Sequence, residues 1–140
     1  MKKIVLMLIL SFTFSVAISA QKIKIKDYWG EVVYQIEGNT IKIKDHWGEI
    51  AYFFEEQTIK RKDHWGESLF FIEGNNVNSK DHWGDVIYFI DGNTIRSKDR
   101  WGDALYYIDG KTLKAKDSWG EALFYFEEPP KIWQIIAILR

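Results

Sequence analysis

From Lys22 onward, apolar and polar residues alternate along the chain. Glu31-Val-Val-Tyr-Gln-Ile-Glu37 and Thr40-Ile-Lys-Ile-Lys-Asp45 place apolar side chains at every second position, the period of a strand with one buried face. Between them stands Gly38-Asn39, which suits a two-residue hairpin loop because glycine accepts positive φ. The pattern returns every 18 residues: Trp29, Trp47, Trp65, Trp83, Trp101 and Trp119 share that spacing, each preceded by Lys-Asp-x and followed by Gly and an acid. So regular a register marks a repeat architecture. Each unit reads strand, turn, strand, turn, and six units predict twelve strands from Lys22 to about Glu127.

Register follows from parity, because a slip of one residue carries every side chain to the opposite face. With Gly38-Asn39 as a two-residue loop, Ile36 faces Ile41 and Tyr34 faces Ile43. With Trp47-Gly48 also as a two-residue loop, Ile43 faces Tyr52 and Ile41 faces Phe54, so the two loops agree. One face then collects Val32, Tyr34, Ile36, Ile41, Ile43, Ile50, Tyr52 and Phe54, and the other Val33, Gln35, Glu37, Lys42, Lys44, Ala51 and Phe53. A three-residue Trp-Gly loop with a bulge would turn alternate repeats inside out unless a second bulge compensated, so the shorter loop is expected. Arg61, Ser79 and Ser97 take the place of Ile43 and leave the edge of the apolar face imperfect. Glu56-Gln57 stands where the other four internal turns begin with glycine, which makes it the weakest turn unless it adopts another type.

An open meander of twelve strands would leave two exposed edges, so closure is expected, with the strand near Ile23–Lys26 pairing with the strand near Leu123–Phe126. At a strand spacing of about 4.8 Å and a tilt of about 40°, the backbone radius is on the order of 12 Å, wider than wall side chains fill alone. After Glu127-Glu128-Pro129-Pro130 the repeat gives way to Lys131-Ile-Trp-Gln-Ile-Ile-Ala-Ile-Leu-Arg140, whose interior is apolar on every side except for Gln134. A helix apolar all round belongs in a core, and ten residues span about 15 Å, near the height of the tilted strands. Segment 129–140 therefore reads as a central plug; a thirteenth strand, favoured by its isoleucines, and an interfacial anchor are the alternatives. The expected fold is all-β, a closed 12-stranded antiparallel barrel of six hairpin repeats over 21–128 with a short apolar C-terminal helix.

Residues 1–20 carry Lys2-Lys3, an uncharged apolar run from Ile4 to Ile18, and the small pair Ser19-Ala20 before Gln21, the layout of a secretory signal peptide. The run is shorter than the roughly 20 apolar residues of a membrane span. Cleavage after Ala20 would take 20 of the 140 residues, leaving 120, and would remove Lys2 and Lys3 but no acid, moving the formal charge from −1 to −3. Export to the periplasm, cell surface or medium is expected, and no basic patch for nucleic acid follows from that balance. The chain has no cysteine, which excludes disulfides, thiolate metal sites and a cysteine nucleophile.

The unit Lys-Asp-x-Trp-Gly-acid-x-x-aromatic resembles bacterial repeat families with Trp-Gly signatures, and its symmetric hairpins resemble the β-flower proteins, shallow radially symmetric barrels with hairpin petals. This resemblance covers residues 22–128 and implies a scaffold without naming a ligand. Twelve strands around a C-terminal apolar helix are also similar to the Tubby-like fold, whose members are associated with phosphoinositide or membrane binding and with lipid scrambling. No Tubby sequence motif is matched, so that likeness implies no binding residues.

Candidate chemistry is confined to the turns. Trp29, Trp47, Trp65, Trp83, Trp101 and Trp119 form a candidate binding ring at one rim for apolar or sugar ligands; the alternative is that each indole folds onto its neighbour and closes the barrel end. His46, His64 and His82 recur in phase in three successive units, inviting a metal site. Equivalent points on adjacent hairpins lie about 9.6 Å apart, however, against about 2.0–2.1 Å for a zinc–nitrogen bond, and the three read as exposed turn residues. Asp45, Glu49 and their equivalents suggest a calcium rim, but aspartate commonly stabilises its own turn, and Lys44 competes for the charge. The remaining lysines and terminal acids such as Glu37 and Asp91 read as a solvated, cross-strand-paired outer face. No nucleophile elbow, metalloprotease motif or glycine-rich phosphate loop occurs, and the reactive side chains repeat with the scaffold where catalysis needs a unique constellation. The expectation is a non-enzymatic module, without cofactor or metal, that binds or scaffolds at a lipid membrane or envelope surface. A glycan ligand for the tryptophans and a purely structural repeat are the other readings.

Overall fold

The computed structural model describes residues 20–139, so the expected signal peptide lies outside the described residues apart from Ala20. Six-residue and four-residue strands alternate: β1 (Ala20–Ile25), β2 (Val32–Glu37), β3 (Thr40–Ile43), β4 (Ile50–Glu55), β5 (Thr58–Arg61) and β6 (Ser68–Glu73). They continue as β7 (Asn76–Ser79), β8 (Val86–Asp91), β9 (Thr94–Ser97), β10 (Ala104–Asp109), β11 (Thr112–Ala115) and the slightly shorter β12 (Ala122–Phe126), followed by one helix, α1 (Ile132–Ile138). Each strand pairs antiparallel with its sequence neighbours, and β1 meets β12 through Ile23↔Phe126, Lys24↔Tyr125 and Ile25↔Phe124. The barrel is closed, and no strand edge is left for a stranger.

The pairings also set the tilt. Crossing from Ile41 to Tyr52 and on to Arg61 arrives two residues beyond Ile59, the equivalent of Ile41 one repeat later. Six such steps accumulate a stagger of about 12 residues over twelve strands, the same ratio that gives eight-stranded barrels a tilt of about 36°.

Two kinds of turn join the strands. Gly38, Gly74, Gly92 and Gly110 open the short turns with φ of 59°, 61°, 62° and 62°, and the residue after each has no positive φ, the signature of a type II′ hairpin. The expected pairs Ile36↔Ile41 and Tyr34↔Ile43 are present. Glu56 and Gln57 instead both have positive φ, 48° and 71°, as a type I′ turn requires, so the exceptional sequence does adopt another turn type.

The Trp-Gly connection differs from the expected two-residue loop. The Ile43 N–H donates to the Glu49 carbonyl at 2.9 Å and closes a five-residue loop, Lys44 to Gly48. Such an odd loop inverts the faces, as Lys42↔Ile50 shows, and a bulge at Ala51 inverts them back, so that Ile41 faces Tyr52 rather than Phe54. Similar register shifts recur at the other five Trp-bearing connections. Val32 and Ile50 therefore sit opposite Lys24 and Lys42 on the outer wall, not on the apolar face. The bulged position turns inward in their place: Leu69 is buried in the core, and Val33 and Ile87 pack against it. The longer loop requires glycine at this position, since a Cβ on Gly48 would stand 1.7 Å from the Ile43 carbonyl oxygen.

The lumen is filled as the C-terminal composition predicts. Ile23, Ile41, Ile59, Val77, Ile95 and Leu113 form a ring with no exposed surface, and Ile135, Ile136 and Ala137 of α1 join them in one core. Trp133 stacks on Phe54 at 4.9 Å with the ring planes 3° apart. Gln134 is buried because it has a partner: its Oε1 accepts the Lys131 N–H at 2.9 Å and satisfies a donor at the helix start. The thirteenth strand and the external anchor are both excluded by this arrangement. The Ile43 position is exposed in Ile43 and Arg61 and half-buried in Ser79 and Ser97, at the Trp-turn end of the inner face, which accounts for its mixed polarity.

Replacing Ile136 by Asp would bury an unpaired charge against the barrel wall, a change worth several kcal/mol against a total stability of about 5–15 kcal/mol. Near-UV circular dichroism during heating should show no cooperative transition for Ile136→Asp or for truncation after Pro130. A truncated protein that stays soluble and melts sharply would show that the wall stands without its plug. Glu56→Gly should raise the urea midpoint, through a gain of about 1 kcal/mol in unfolding free energy on removing a side chain from a left-handed position. A lowered midpoint would mean that the Glu56 side chain itself supports the turn.

Candidate functional site

Every Trp-bearing turn is held by the same bonds. In the second unit the Asp45 N–H donates to the Ile43 carbonyl at 2.8 Å around Lys44, whose φ is 67°. This is a γ-turn with positive φ at its centre, a rare and strained form. The Gly48 N–H then donates to the Asp45 carbonyl at 2.9 Å. The Trp47 N–H donates to Asp45 Oδ1 at 2.9 Å, and all six turns repeat this bond at 2.9–3.0 Å. Asp45 and its equivalents thus serve their own turns, as their position before the tryptophan suggests.

Side chains of the outer wall draw these turns back against the barrel. Lys42 Nζ donates to the His46 carbonyl at 3.1 Å and pairs with Glu37 Oε1 at 2.9 Å, while His46 Nδ1 donates to Glu37 Oε2 at 2.8 Å. The third unit repeats the triad: Lys60 pairs with Glu55 at 3.2 Å, and His64 donates to it at 2.6 Å. His82 lies 3.6 Å from Glu73 and meets Phe71 edge to face. Arg96 with Asp91 and Lys114 with Asp109 continue the pairing, at 2.9 and 3.0 Å. The three histidines are therefore each engaged by a carboxylate of their own wall. The His46 hydrogen bond, and then that of Lys42, lowers the Glu37 carboxyl to about 2, and His64 and Lys60 lower Glu55 in the same way. On the inner face, burial and then Tyr52 raise the Tyr34 phenol above its usual value, and burial and Tyr106 raise Tyr88. Both phenols stay protonated near neutrality and pack against the core.

This clasp leaves the tryptophans in solvent. Their exposures are 86, 88, 87, 86, 86 and 93 % from Trp29 to Trp119. No indole packs on another among the described residues, so the tryptophans do not close the barrel end. Four of them rest edge to face on the ring before them instead: Tyr28 on Trp29 and His46 on Trp47, both at 4.8 Å, with His64 on Trp65 and His82 on Trp83 at 4.6 Å. The meander puts all six turns at the same end of the barrel.

A model of the 6-fold beta flower protein matches residues 24–139. The chain belongs to that family. Neither the curated proteins nor the solved structures include a match to it. In this chain the six Trp-bearing turns are drawn over the outer wall, around a helical centre.

One set of residues in this flower escaped the sequence reading. Lys26, Lys44, Lys62, Lys80, Lys98 and Lys116 all have φ of 66–70°. Lysine before aspartate in every unit was the available signal, but nothing in the sequence separates a strained lysine from a solvated one.

Because the Glu37 pKa is lower in the folded state, its contribution is full above the unfolded carboxylate value near 4.5 and is lost as pH falls toward 2. Denaturation midpoints measured between pH 6 and 2.5 should therefore drop less steeply for Glu37→Gln than for the wild type. Parallel curves would show that the clasp adds nothing to stability.

Proposed function

We propose that this beta flower is a non-enzymatic, exported module that docks on a membrane surface through its crown of tryptophans. The single observation that carries the reading is the exposure of six indoles, 86 % or more each, carried on six equivalent turns of a rigid barrel. Soluble monomers rarely leave so much aromatic surface uncovered without a partner for it. Indoles are stabilised where an apolar medium meets a wet one, since the ring is apolar and the Nε1–H seeks an acceptor. The turns that carry them are pre-ordered by three hydrogen bonds each, so little conformational freedom is lost on docking.

Six separated rings, each 86 % or more exposed and none stacked on another, suit shallow insertion into an interface better than enclosure of a sugar. Export, expected from residues 1–20, would bring the crown to an envelope surface. The Tubby-like likeness in plan agrees with a lipid role but supplies no residues.

Co-sedimentation with phosphatidylcholine vesicles tests this. The wild type should pellet with the vesicles, and Trp47→Ala combined with Trp101→Ala should weaken binding by roughly tenfold or more, given about 1–2 kcal/mol for each half-buried indole. The melting transition should be unchanged, because both rings are exposed. Binding to a glycan array with none to any vesicle would replace this reading by the sugar one.

A further inference from the structure

Charges on the outer wall and charges on the turns are treated differently. Lys42, Lys60, Arg96 and Lys114 all pair with wall carboxylates. The six turn lysines make no salt bridge among the described residues, and of the acids that follow the Trp-Gly pairs only Glu67 makes one, with Arg61. These unpaired groups share grooves between consecutive turns. Glu49, Ile50, Lys62 and Asp63 line one of about 240 Å³, and the corresponding positions, Glu31 with Lys44 and Asp85 with Lys98, line others of about 320 and 550 Å³.

Backbone strain adds an independent argument. At the opposite end of the barrel this chain uses glycine for four of its left-handed turn positions. At the Trp end it places lysine in the left-handed region six times out of six. Asparagine or glycine would hold that conformation at lower cost, so a side chain retained there against the backbone preference points to a use outside the fold.

We propose that the inter-turn grooves are seats for the zwitterionic head group of a phospholipid, the phosphate on the turn lysine and the ammonium on the acid that follows the Trp-Gly pair. A cation and carboxylates held apart over an apolar floor complement a ligand that carries both charges. Lysine serves as a point-charge partner for phosphate, and a carboxylate does the same for an ammonium or trimethylammonium group. The assignment deepens the membrane reading and rests on it: the tryptophans supply insertion, and the grooves supply the choice of lipid.

The experiment compares vesicles of phosphatidylcholine, of phosphatidylglycerol and of uncharged galactolipid, using the wild type and a Lys44→Asn, Lys62→Asn, Lys98→Asn variant. Asparagine tolerates the left-handed region, so the variant should melt at or above the wild-type temperature. Wild-type binding should favour phosphatidylcholine by about tenfold over both other surfaces, a preference the variant should lose. Glycerophosphocholine should compete, whereas glycerophosphate or choline alone should compete far less. If the variant keeps the preference, or either half-ligand competes as well as the whole, the grooves are not the seats while the crown still docks. If the wild type prefers none of the three surfaces but binds all, the groove assignment fails in the same way. If no vesicle binds, both readings fall together.

Discussion

Everything in this structure depends on filling the lumen. Twelve strands at this stagger enclose a backbone cylinder too wide for wall side chains to fill and too narrow for a second layer of sheet. One helix, about 10–12 Å across with its side chains, is the object that fits. The wall in turn gives the helix what isolation cannot, because seven helical residues with buried isoleucines are far below the length at which a helix stands alone in water. Closure, plug and core are thus one cooperative decision, and a wall that failed to close would leave the helix without a medium.

The petals obey a second, local constraint. A five-residue connection inverts the faces of a meander, and only a paired bulge restores them, so loop and bulge must occur together in each Trp-bearing hairpin. Gly48 permits the loop by lacking the Cβ that would strike the Ile43 carbonyl. Ala51, or the larger Leu69 at the same position, occupies the bulge and faces inward. The wall acids and bases then hold the loop down, which is why a strand end such as Glu37 carries a depressed carboxyl while the indole of Trp47, the residue after His46 of that clasp, stays exposed.

The architecture was legible in the sequence to an unusual depth because repetition averages out local ambiguity. Six copies in register establish strand count, closure and the apolar ring of Ile41 and its equivalents, and the largely apolar C-terminal segment identifies the plug. The faces of Val32, Val33, Ile50 and Ala51 were not legible. Apolar residues fill both positions, so hydrophobic patterning cannot say which one the bulge turns inward, and the steric demand at Gly48 depends on a carbonyl five residues back whose position only the folded turn defines. The six tryptophan-bearing turns could be placed at one end by counting strands, but the exposure of their indoles could not, because packing on a neighbour and standing in solvent use the same residue.

Symmetry separates the inside of this barrel from its outside. A helix with 3.6 residues per turn cannot present the same surface to six repeats, and the inner wall departs from repetition to meet it: Phe54 faces Trp133 where Ile36, Ile72, Ile90 and Ile108 stand in other units. The turns feel no such pressure, and Lys-Asp-x-Trp-Gly-acid remains intact in all six. A scaffold selected only for stability would have been free to vary those exposed positions, since surface substitutions away from special features change stability by only about 0.5 kcal/mol. Part of the motif is required by the turn itself, namely the aspartate and the glycine. Tryptophan and lysine are not, for one lies in solvent and the other strains the backbone. Under the membrane reading proposed above, six rigidly spaced copies of those two residues would convert contacts that are weak one at a time into attachment through effective concentration, provided the target presents its sites in a plane.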